Sequence, residues 1–484
     1  MKQYLTFPDM PQGYTVIFWG EVLTNFSFYG FRSILILLLT KRFLMDDAQA
    51  IDIYASFMAL AYLMPVLGGW LSDRFLGVYS SLVIGGASAA LGFFVLTCPY
   101  GYVHYGALSL ACIGLGFVKP NIVSAVGLLF PKESPLLDKA YTIFYTGMNG
   151  GSLIAGVACG FIADYYGWSY IFPLLSLSML IVTFFCSRFL KDIDALKPPL
   201  NNWSEKKSFR FFLWGGILLT FIGTGVLFSY AASMSFLMPF IILGSLGYFL
   251  FLIFKSKGQN RRNLYKLLGL LILFAAFCAL FEQSGGILTL FIDRSVDRTF
   301  FNFTLPTASF QSLNPLFVIF LGSLAGACWK ICDKKRILLS SFSKFAVGFV
   351  FMALSFVVLS VAIGYDSFDE RVGSFWVLIS FLIQVIGEFC IIPIGFASVS
   401  KLSEKSLVNR LMGIWMIAIA AGHYGAGVLA KLFITPKAGE ETIPLSIYDA
   451  FFQNMTILSF IPVLVVGVGF AGFYFVKRTP KTSV

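Results

Sequence analysis

The chain has 484 residues, of which 58% are hydrophobic, 17% aromatic and only 12% charged. Soluble domains carry about 25% charged residues, so this composition excludes a soluble globular protein and indicates an all-α polytopic membrane protein. The formal net charge is +11, but the basic residues lie in short loops between apolar runs. We therefore expect the lipid bilayer, and no nucleic acid, as the partner of this charge.

Fourteen apolar runs are long enough to cross a bilayer. They lie at 14–39, 52–72, 79–97, 105–130, 139–164, 170–189, 209–231, 234–254, 265–291, 311–331, 338–362, 374–399, 409–433 and 452–476. If both termini are cytoplasmic, 26 of the 35 Lys and Arg residues lie inside, 7 lie outside, and Arg32 and Lys119 lie within the membrane. The positive-inside rule therefore predicts cytoplasmic N- and C-termini.

The first run places two ionisable residues, Glu21 and Arg32, in an otherwise apolar segment. Their spacing is about three helical turns, so both share one face with Asn25 and Tyr29. Ionisable groups in mid-membrane cost about 2.5 to 3.5 kcal/mol even on the lenient insertion scale and normally line a protein-walled cavity. We expect this face to be functional, although snorkelling of one charge to the interface is the alternative.

Two runs in the middle of the chain, 209–231 and 234–254, carry almost no charge and are bracketed by basic segments. They have the character of an insertion between two halves. The prediction is an N-terminal six-helix bundle over 1–190, linker segments with two inserted helices over 191–263, and a C-terminal six-helix bundle over 264–484. Six helices on each side are typical of transporters built from repeats.

Without the inserted pair, the intramembrane charges fall in core helices 1, 4, 7 and 10, the first helix of each three-helix repeat. The later ones are Lys119, Glu282 and Glu388. Equivalent elements of such repeats converge on a central site near the midplane. Proline or glycine follows each of these charges, which predicts local helix breaks that line the cavity.

Several charges lie within longer motifs: GGWLSDRFLGVYSS at 68–81, KPN at 119–121, FYTGMNGGSL at 144–153, FEQSGGILTLFIDRSVDR at 281–298, QSLNPLF at 311–317 and GEFCIIPIGFASVSKL at 387–402. Together these motifs resemble those of the proton-dependent oligopeptide transporters, a branch of the major facilitator superfamily. The resemblance implies the major facilitator fold, with two six-helix bundles and two additional helices. It also implies an integral bacterial inner-membrane protein that takes up di- and tripeptides with protons by alternating access.

The resemblance also assigns roles to particular residues. It implies that Arg32 and Glu282 form an extracellular gate pair and that Asp73 and Arg74 gate the cytoplasmic face. Lys119 and Glu388 are expected to pair nearer the cytoplasm. The implied substrate-binding residues are Tyr29, Arg32, Tyr62, Lys119, Asn149, Glu282, Asn314, Glu388 and Trp415.

The chain departs from the family pattern in core helix 1, where EVLTNFSFYG replaces E-x-x-E-R-F-x-Y-Y-G. Thr24 and Asn25 stand where the second glutamate and the arginine are expected, and Phe28 replaces a tyrosine. In core helix 11, His423 stands where the pattern has asparagine. We interpret His423 as a buried histidine satisfied by its neighbours, and leave open that it takes part in proton transfer.

Glu21 is the cavity carboxylate that remains after Arg32 and Lys119 are assigned to Glu282 and Glu388, so we expect it to carry the proton. Lys119 and Glu282 complete the expected proton-coupling set. The altered helix 1 leaves an alternative open, a transporter of the same fold for another small polar metabolite or anion, with altered or absent proton coupling.

Other classes of function fit the sequence less well. An enzyme would need a nucleophile, base or metal cluster, and only two histidines, His104 and His423, are present. We expect no enzymatic activity, no metal and no other cofactor. We also expect the protein to work as a monomer.

Overall fold

The computed structural model describes residues 7, 9–98, 101–131, 134–197, 207–229, 231–300, 302–335, 340–365, 371–404, 407–434 and 443–478. Part of the basic segment predicted to be cytoplasmic, 198–206, lies outside the described residues. The helices of the first half are α1 Tyr14–Leu37, α2 Asp47–Leu71, α3 Gly77–Val95, α4 Gly101–Leu129, α5 Leu137–Phe161, α6 Ile171–Phe189 and α7 Lys207–Ser229. Those of the second half are α8 Ala231–Lys255, α9 Gly258–Phe281, α10 Ile287–Ser295, α11 Leu313–Lys334, α12 Ser341–Tyr365, α13 Ser374–Leu402, α14 Val408–Phe433 and α15 Leu445–Arg478.

Short elements join these helices. Single π-helical turns end α1, α2 and α5, at Leu38–Arg42, Ser72–Leu76 and Ile162–Tyr166. The 3₁₀ turns lie at Trp168–Tyr170, Asp194–Leu196, Glu282–Ser284 and Thr307–Ser312. Four strands of two residues each complete the described part: Val296–Asp297 pairs in parallel with Val372–Gly373, and Thr299–Phe300 pairs antiparallel with Phe303–Thr304. The fold is therefore all-α in character.

The chain divides into two compact units. Unit 1 comprises Met1–Ile241 and Thr299–Ile319, and unit 2 comprises Ile242–Arg298 and Phe320–Val484.

Small residues bring the helices of unit 1 close together. A Cβ at Gly68 of α2 would overlap the carbonyl oxygen of Gly116 in α4, and a Cβ at Gly85 of α3 would lie 2.7 Å from the carbonyl oxygen of Gly114. Since α2 and α3 pack on the same level of α4, the chain reverses direction between them. Gly77, with φ +72°, stands at this reversal, where the backbone conformation favours glycine.

Glycines also allow α5 to pack closely on α1. A Cβ at Gly151 would overlap the carbonyl oxygen of Val22, and one at Gly147 would lie 2.5 Å from the Phe18 ring. Close approach of helix backbones through small residues is typical of membrane helix packing. It turns the polar face of α1 toward the interior of unit 1.

Core helix 7 is broken, as the sequence predicts. Helix α9 ends at Phe281, a 3₁₀ turn covers Glu282–Ser284, and α10 begins at Ile287. The two glycines between them have low helix propensity, and the Thr289 hydroxyl donates to the Ser284 carbonyl oxygen at 3.0 Å. The break therefore follows from the local sequence.

The expected breaks in core helices 4 and 10 do not occur, and this prediction was wrong. Pro120 lies inside the continuous α4, and Pro393 lies inside the continuous α13. The carbonyl group that Pro120 leaves without its backbone donor belongs to Gly116, and α2 packs closely on it at Gly68. Packing against a neighbouring helix lets a membrane helix continue through a proline.

Twelve helical segments among the described residues are long and apolar enough to cross a membrane. One of them, Asp47–Val95, contains both α2 and α3, and α7 is not among the twelve. The length and apolar character of these segments support an all-α membrane fold. They number twelve, so they do not show the fourteen membrane helices that the sequence predicts.

Candidate functional site

The polar face of α1 is buried inside unit 1. Glu21, Thr24 and Asn25 are 3%, 0% and 2% exposed. The Thr24 hydroxyl donates to the Gly20 carbonyl oxygen at 2.7 Å. The face therefore points into protein and away from lipid, as the cost of intramembrane charge requires.

Asn25 is bonded to Glu21. Its Nδ2 donates to Glu21 Oε1 at 2.6 Å and also to the Glu21 carbonyl oxygen at 3.0 Å. The second carboxyl oxygen, Oε2, accepts no hydrogen bond from any residue that the structure describes. A neutral amide thus holds one edge of the carboxyl group where the family pattern has a cation, and the other edge remains available to a proton.

Lys119 projects from α4 toward three aromatic rings of α1 and α2. Its Nζ lies 3.1 Å from the centroid of Phe28 and 5.6 Å from the centroids of both Tyr29 and Tyr62. Within the described part of unit 1, no carboxylate lies within ion-pair distance of this ammonium. A cation over a ring face is stabilised by the ring quadrupole, most strongly where water is excluded.

Three charged groups of unit 1 influence one another. Lys119 is attracted by Glu21 and repelled by Arg32, and the Arg32 guanidinium lies 5.8 Å from the Tyr29 ring centroid. Among the described residues of unit 1, Lys119 and Arg32 thus lie near enough to influence each other, and an anionic group that binds between them would be attracted by both.

The two asparagines of the expected substrate site are also in unit 1. Asn149 of α5 is 8% exposed, and its Nδ2 donates to the Tyr145 carbonyl oxygen at 2.9 Å. This bond fixes the amide nitrogen within its own helix. Asn314 lies in the first turn of α11 and is part-buried.

In unit 2, the carboxyl group of Glu282 faces an imidazole. His423 Nδ1 of α14 lies 3.2 Å from Glu282 Oε2, and the side chains are 7% and 2% exposed. Sequence reasoning did not identify this contact. The signal that pointed to it was the histidine at a position where the family pattern has asparagine.

The other assigned residues of unit 2 lie on α13 and α14. Glu388 is part-buried, and it acts electrostatically on Cys278 together with Glu282. Trp415 is 0% exposed, its ring centroid lies 4.5 Å from that of Phe274, and a Cβ at Gly395 would lie 2.5 Å from its ring. In this structure Trp415 therefore forms part of the core of unit 2.

The two residues assigned to the cytoplasmic gate lie in the π-helical turn after α2. Asp73 and Arg74 are exposed, and the Arg74 guanidinium lies 5.8 Å from the Trp70 ring centroid. Of the residues described, no group of three or more His, Cys, Asp or Glu could hold a metal ion.

The structure thus brings Glu21, Tyr29, Tyr62 and Lys119 together in unit 1, and places Glu282 and Glu388 near one cysteine in unit 2. The predicted pairs Arg32 with Glu282 and Lys119 with Glu388 each join one residue from either unit, and they stay predictions.

A sequence model of the POT family matches residues 79–444, which is most of the chain. The chain belongs to this family, the proton-dependent oligopeptide transporters of the major facilitator superfamily. It is a transporter and not an enzyme.

Relatives along nearly the whole length agree with this family. Dipeptide and tripeptide permease A of Proteus mirabilis (strain HI4320) is 29% identical over 456 residues, which cover 93% of this chain and 92% of the permease. An uncharacterised transporter of Bacillus subtilis (strain 168), YclF, is 30% identical over 441 residues, covering 87% and 88%.

Solved structures of the family share the fold. The crystal structure of peptide transporter POT in complex with sulfate has a TM-score of 0.83 and 26% sequence identity, and covers 95% of this chain and 94% of its own. A mutant of peptide transporter POT in complex with alafosfalin has a TM-score of 0.81 at 26% identity, covering 94% of each chain.

Proposed function

We propose that this chain takes up di- and tripeptides together with protons, by alternating access across a bacterial inner membrane. The observation that carries the proposal is the arrangement in unit 1, where Lys119 meets three aromatic rings beside a buried Glu21. The cations can bind the carboxylate of a short peptide, and the aromatic rings can contact its variable side chains. The buried acid can bind the proton that is transported with it.

The charged ends of the peptide require charged partners in the site. Every short peptide carries a carboxylate and an ammonium whatever its side chains, so a promiscuous site needs fixed charges of both signs. Lys119 and Arg32 suit the carboxylate, and Glu388 suits the ammonium. The remaining members of the proposed substrate site are Tyr29, Tyr62, Asn149, Glu282, Asn314 and Trp415.

The amides and aromatic residues of that site differ in how they would act. Asn149 and Asn314 suit the peptide bond, since an amide can donate to a carbonyl and accept from an N–H. Asn149 has its oxygen available for this purpose, because the bond to Tyr145 uses the nitrogen. Tyr29 and Tyr62 would contact the substrate side chains directly. Trp415 is buried and would act indirectly, by packing against Phe274.

Gating would alternate between two charge pairs, Arg32 with Glu282 outside and Lys119 with Glu388 nearer the cytoplasm. Proteins that switch between two states commonly do so by rigid-body rotation of domains, which exchanges one set of ion pairs for another. Asp73 and Arg74, in the exposed turn after α2, would form the cytoplasmic gate contacts.

Proton coupling is assigned to Glu21, with Lys119 and Glu282 as the other members of the set. Glu21 is buried, half of its carboxyl group is hydrogen-bonded to Asn25, and Lys119 is the cation that acts on it. Burial without an ion pair favours the neutral state of an acid. A nearby cation favours the ionised acid. If Lys119 moves toward or away from Glu21 during the cycle, proton binding at Glu21 therefore becomes weaker or stronger.

The proposed topology has fourteen membrane helices with both termini in the cytoplasm. Counting α2 and α3 separately and adding α7 to the described segments gives this number. We propose the boundaries 1–190, 191–263 and 264–484 for the N-terminal bundle, the inserted segment and the C-terminal bundle, and a monomeric transporter.

The test is uptake into proteoliposomes of a mixed dipeptide library, with and without an acid-outside pH gradient, analysed by mass spectrometry. We expect many dipeptides to accumulate only when the gradient is present. Exchange without any response to the gradient would indicate a facilitator, and failure to take up dipeptides while another small anion enters would favour the alternative substrate class.

A further inference from the structure

Unit 2 contains a groove that the proposed peptide site does not use. It has a volume of about 730 Å³ and is lined by residues of α9, α12, α13 and α15. Ile272 and Val465 lie in its wall and are 59% and 62% exposed. Leu273, also in the wall, precedes Glu282 by about two and a half helical turns. The groove therefore lies on the face of α9 turned away from Glu282, where exposed apolar side chains meet lipid.

Glycines on two helices leave room for this groove. A Cβ at Gly269 of α9 would lie 3.2 Å from the Phe342 ring, so α9 and the start of α12 approach closely beside the groove. A Cβ at Gly469 of α15 would meet no atom within 4 Å. Because Gly469 also lines the groove, a larger side chain at this position would extend into open space that the glycine leaves free.

The polar side chains of the groove lie toward one end of it. They are Lys266 in the first half of α9, and Ser340 and Ser341 at the start of α12. The Ser343 amide donates to Ser340 Oγ at 3.1 Å, so this hydroxyl stands at the first turn of the helix. From Lys266 the lining residues of α9 continue for about 10 Å to Leu273 and are all apolar. The groove is thus polar near these helix starts and apolar beyond them.

The polar end is basic. Lys266 is exposed, and in the described part of unit 2 no carboxylate lies within ion-pair distance of its Nζ. Glu404, which follows α13, accepts a hydrogen bond from Asn260 near the start of α9 instead. The exposed Lys334 and Lys335 begin the loop that leads into Ser340. A cation at the edge of an apolar groove favours a ligand that carries a negative charge next to an apolar chain.

We propose that this groove binds one anionic glycerophospholipid, with its phosphate against Lys266 and the two serine hydroxyls and one acyl chain along α9 and α15. Basic pockets between membrane helices are typical binding sites for anionic headgroups. A soluble anion would match only the polar end, and a second copy of the chain would have to cover the unpaired ammonium of Lys266, which is costly. In the proposed orientation this end faces the cytoplasm, and the cytoplasmic leaflet is rich in anionic lipid.

The first measurement tests the charge. Native mass spectrometry counts the lipids bound to the full-length protein during titration with phosphatidylglycerol or with phosphatidylcholine of the same chain length. We expect one phosphatidylglycerol to bind more tightly than phosphatidylcholine, and Lys266→Gln to weaken its binding about fivefold. Arg262→Gln removes an exposed cation about one turn earlier on α9, outside the groove, and should bind as wild type does. Equal losses in the two variants, or equal affinity of wild type for the two lipids, would overturn the proposal.

The second measurement tests the position of the acyl chain. Gly469→Leu places a side chain in the groove. Gly467→Leu is the matched control, because Gly467 is exposed on the same helix, has no atom within 4 Å of its Cβ position and does not line the groove. We expect Gly469→Leu to lose the tightly bound phosphatidylglycerol and Gly467→Leu to keep it. Equal binding by the two variants would show that the chain lies elsewhere and would contradict the proposal.

A third measurement locates the lipid in the wild-type protein, so it does not depend on the folding of any variant. Phosphatidylglycerol with a photoreactive diazirine in one acyl chain is crosslinked in nanodiscs, and the labelled peptides are identified after digestion. We expect the label on the peptides that contain Gly269 and Gly469. Even labelling of all lipid-facing helices would overturn the proposal, as would a dimer in the native spectra that excludes lipid. These measurements do not require transport, so this inference and the proposed function can fail separately.

Discussion

The ammonium of Lys119 lies 3.1 Å from the centroid of the Phe28 ring, and Phe28 is 0% exposed. A phenyl face is thus the nearest aromatic partner of an intramembrane cation, at a position where the family pattern has tyrosine. Cation–π contacts that are shielded from water are worth about 2 kcal/mol or more. The contact holds Lys119 beside Glu21 without an ion pair in unit 1 and keeps its charge available to a substrate carboxylate.

Replacing this ring should weaken peptide binding. In Phe28→Leu the cation–π contact is lost, and we expect the peptide KM to rise about tenfold, which corresponds to about 1.4 kcal/mol. Phe28→Tyr keeps the ring face and should remain close to wild type. Concentration-dependent exchange in proteoliposomes measures both variants, and equal KM values for Leu and Tyr would show that the ring does not position Lys119.

The contact between α9 and α14 should be sensitive to a single methyl group. A Cβ at Gly422 overlaps Cys278, whereas one at Gly425 would lie 3.4 Å from the Ala279 Cβ, an ordinary contact. Overpacking of this kind typically costs about 1 to 3 kcal/mol. Gly422→Ala should therefore lower the thermal unfolding midpoint in detergent, and Gly425→Ala should leave it nearly unchanged. Equal midpoints for the two variants would contradict the packing described here.

The proposed orientation can be tested by labelling single cysteines in intact cells. Ala195 lies in the exposed segment after α6, and Gln49 lies in the exposed first turn of α2. With cytoplasmic termini, an impermeant maleimide should react with Gln49→Cys in sealed cells and with Ala195→Cys only after the cells are opened. Reaction of Ala195→Cys in sealed cells would reverse the topology.

Particular residues show how far the sequence could predict this molecule. The burial of Glu21 followed from the cost of intramembrane charge, and the break after Glu282 followed from Gly285 and Gly286, both of which are local effects. The GGSLIAG stretch at 150–156 has the small-residue pattern that is typical of packing between membrane helices, and Gly151 does pack on the backbone of α1. Periodicity and composition are sufficient for features of this kind.

The failures concern contacts between distant parts of the chain. Pro120 was expected to break α4, but α2 packs closely against Gly116 of α4 and the helix continues. The AGHYGAG stretch at 421–427 has the same small-residue pattern, and Gly422 does pack against Cys278. The pattern does not show that His423 in the same stretch lies 3.2 Å from Glu282. Which residue of a helix meets a partner depends on helix rotation, and helix rotation is set by tertiary packing.

The predicted extracellular gate can be tested by exchanging its charges. Breaking a buried ion pair by changing one partner costs about 3 to 5 kcal/mol, so Arg32→Glu and Glu282→Arg should each stop uptake. The double exchange restores opposite charges and should recover more uptake than either single change. A double variant as inactive as the single ones would count against the pair, and peptide binding measured in detergent controls for misfolding.

The central claim, that peptide uptake is coupled to a proton carried by Glu21, is tested most directly by Glu21→Gln. The amide keeps the shape of the side chain and can still bond to Asn25, but it cannot bind and release a proton. We compare counterflow and gradient-driven accumulation of a dipeptide in proteoliposomes that contain wild type or this variant. The account predicts that counterflow persists while the accumulation supplied by one proton, about fifty-fold at about 100 mV, is lost. Accumulation by Glu21→Gln in response to an acid-outside gradient at the wild-type level would contradict it.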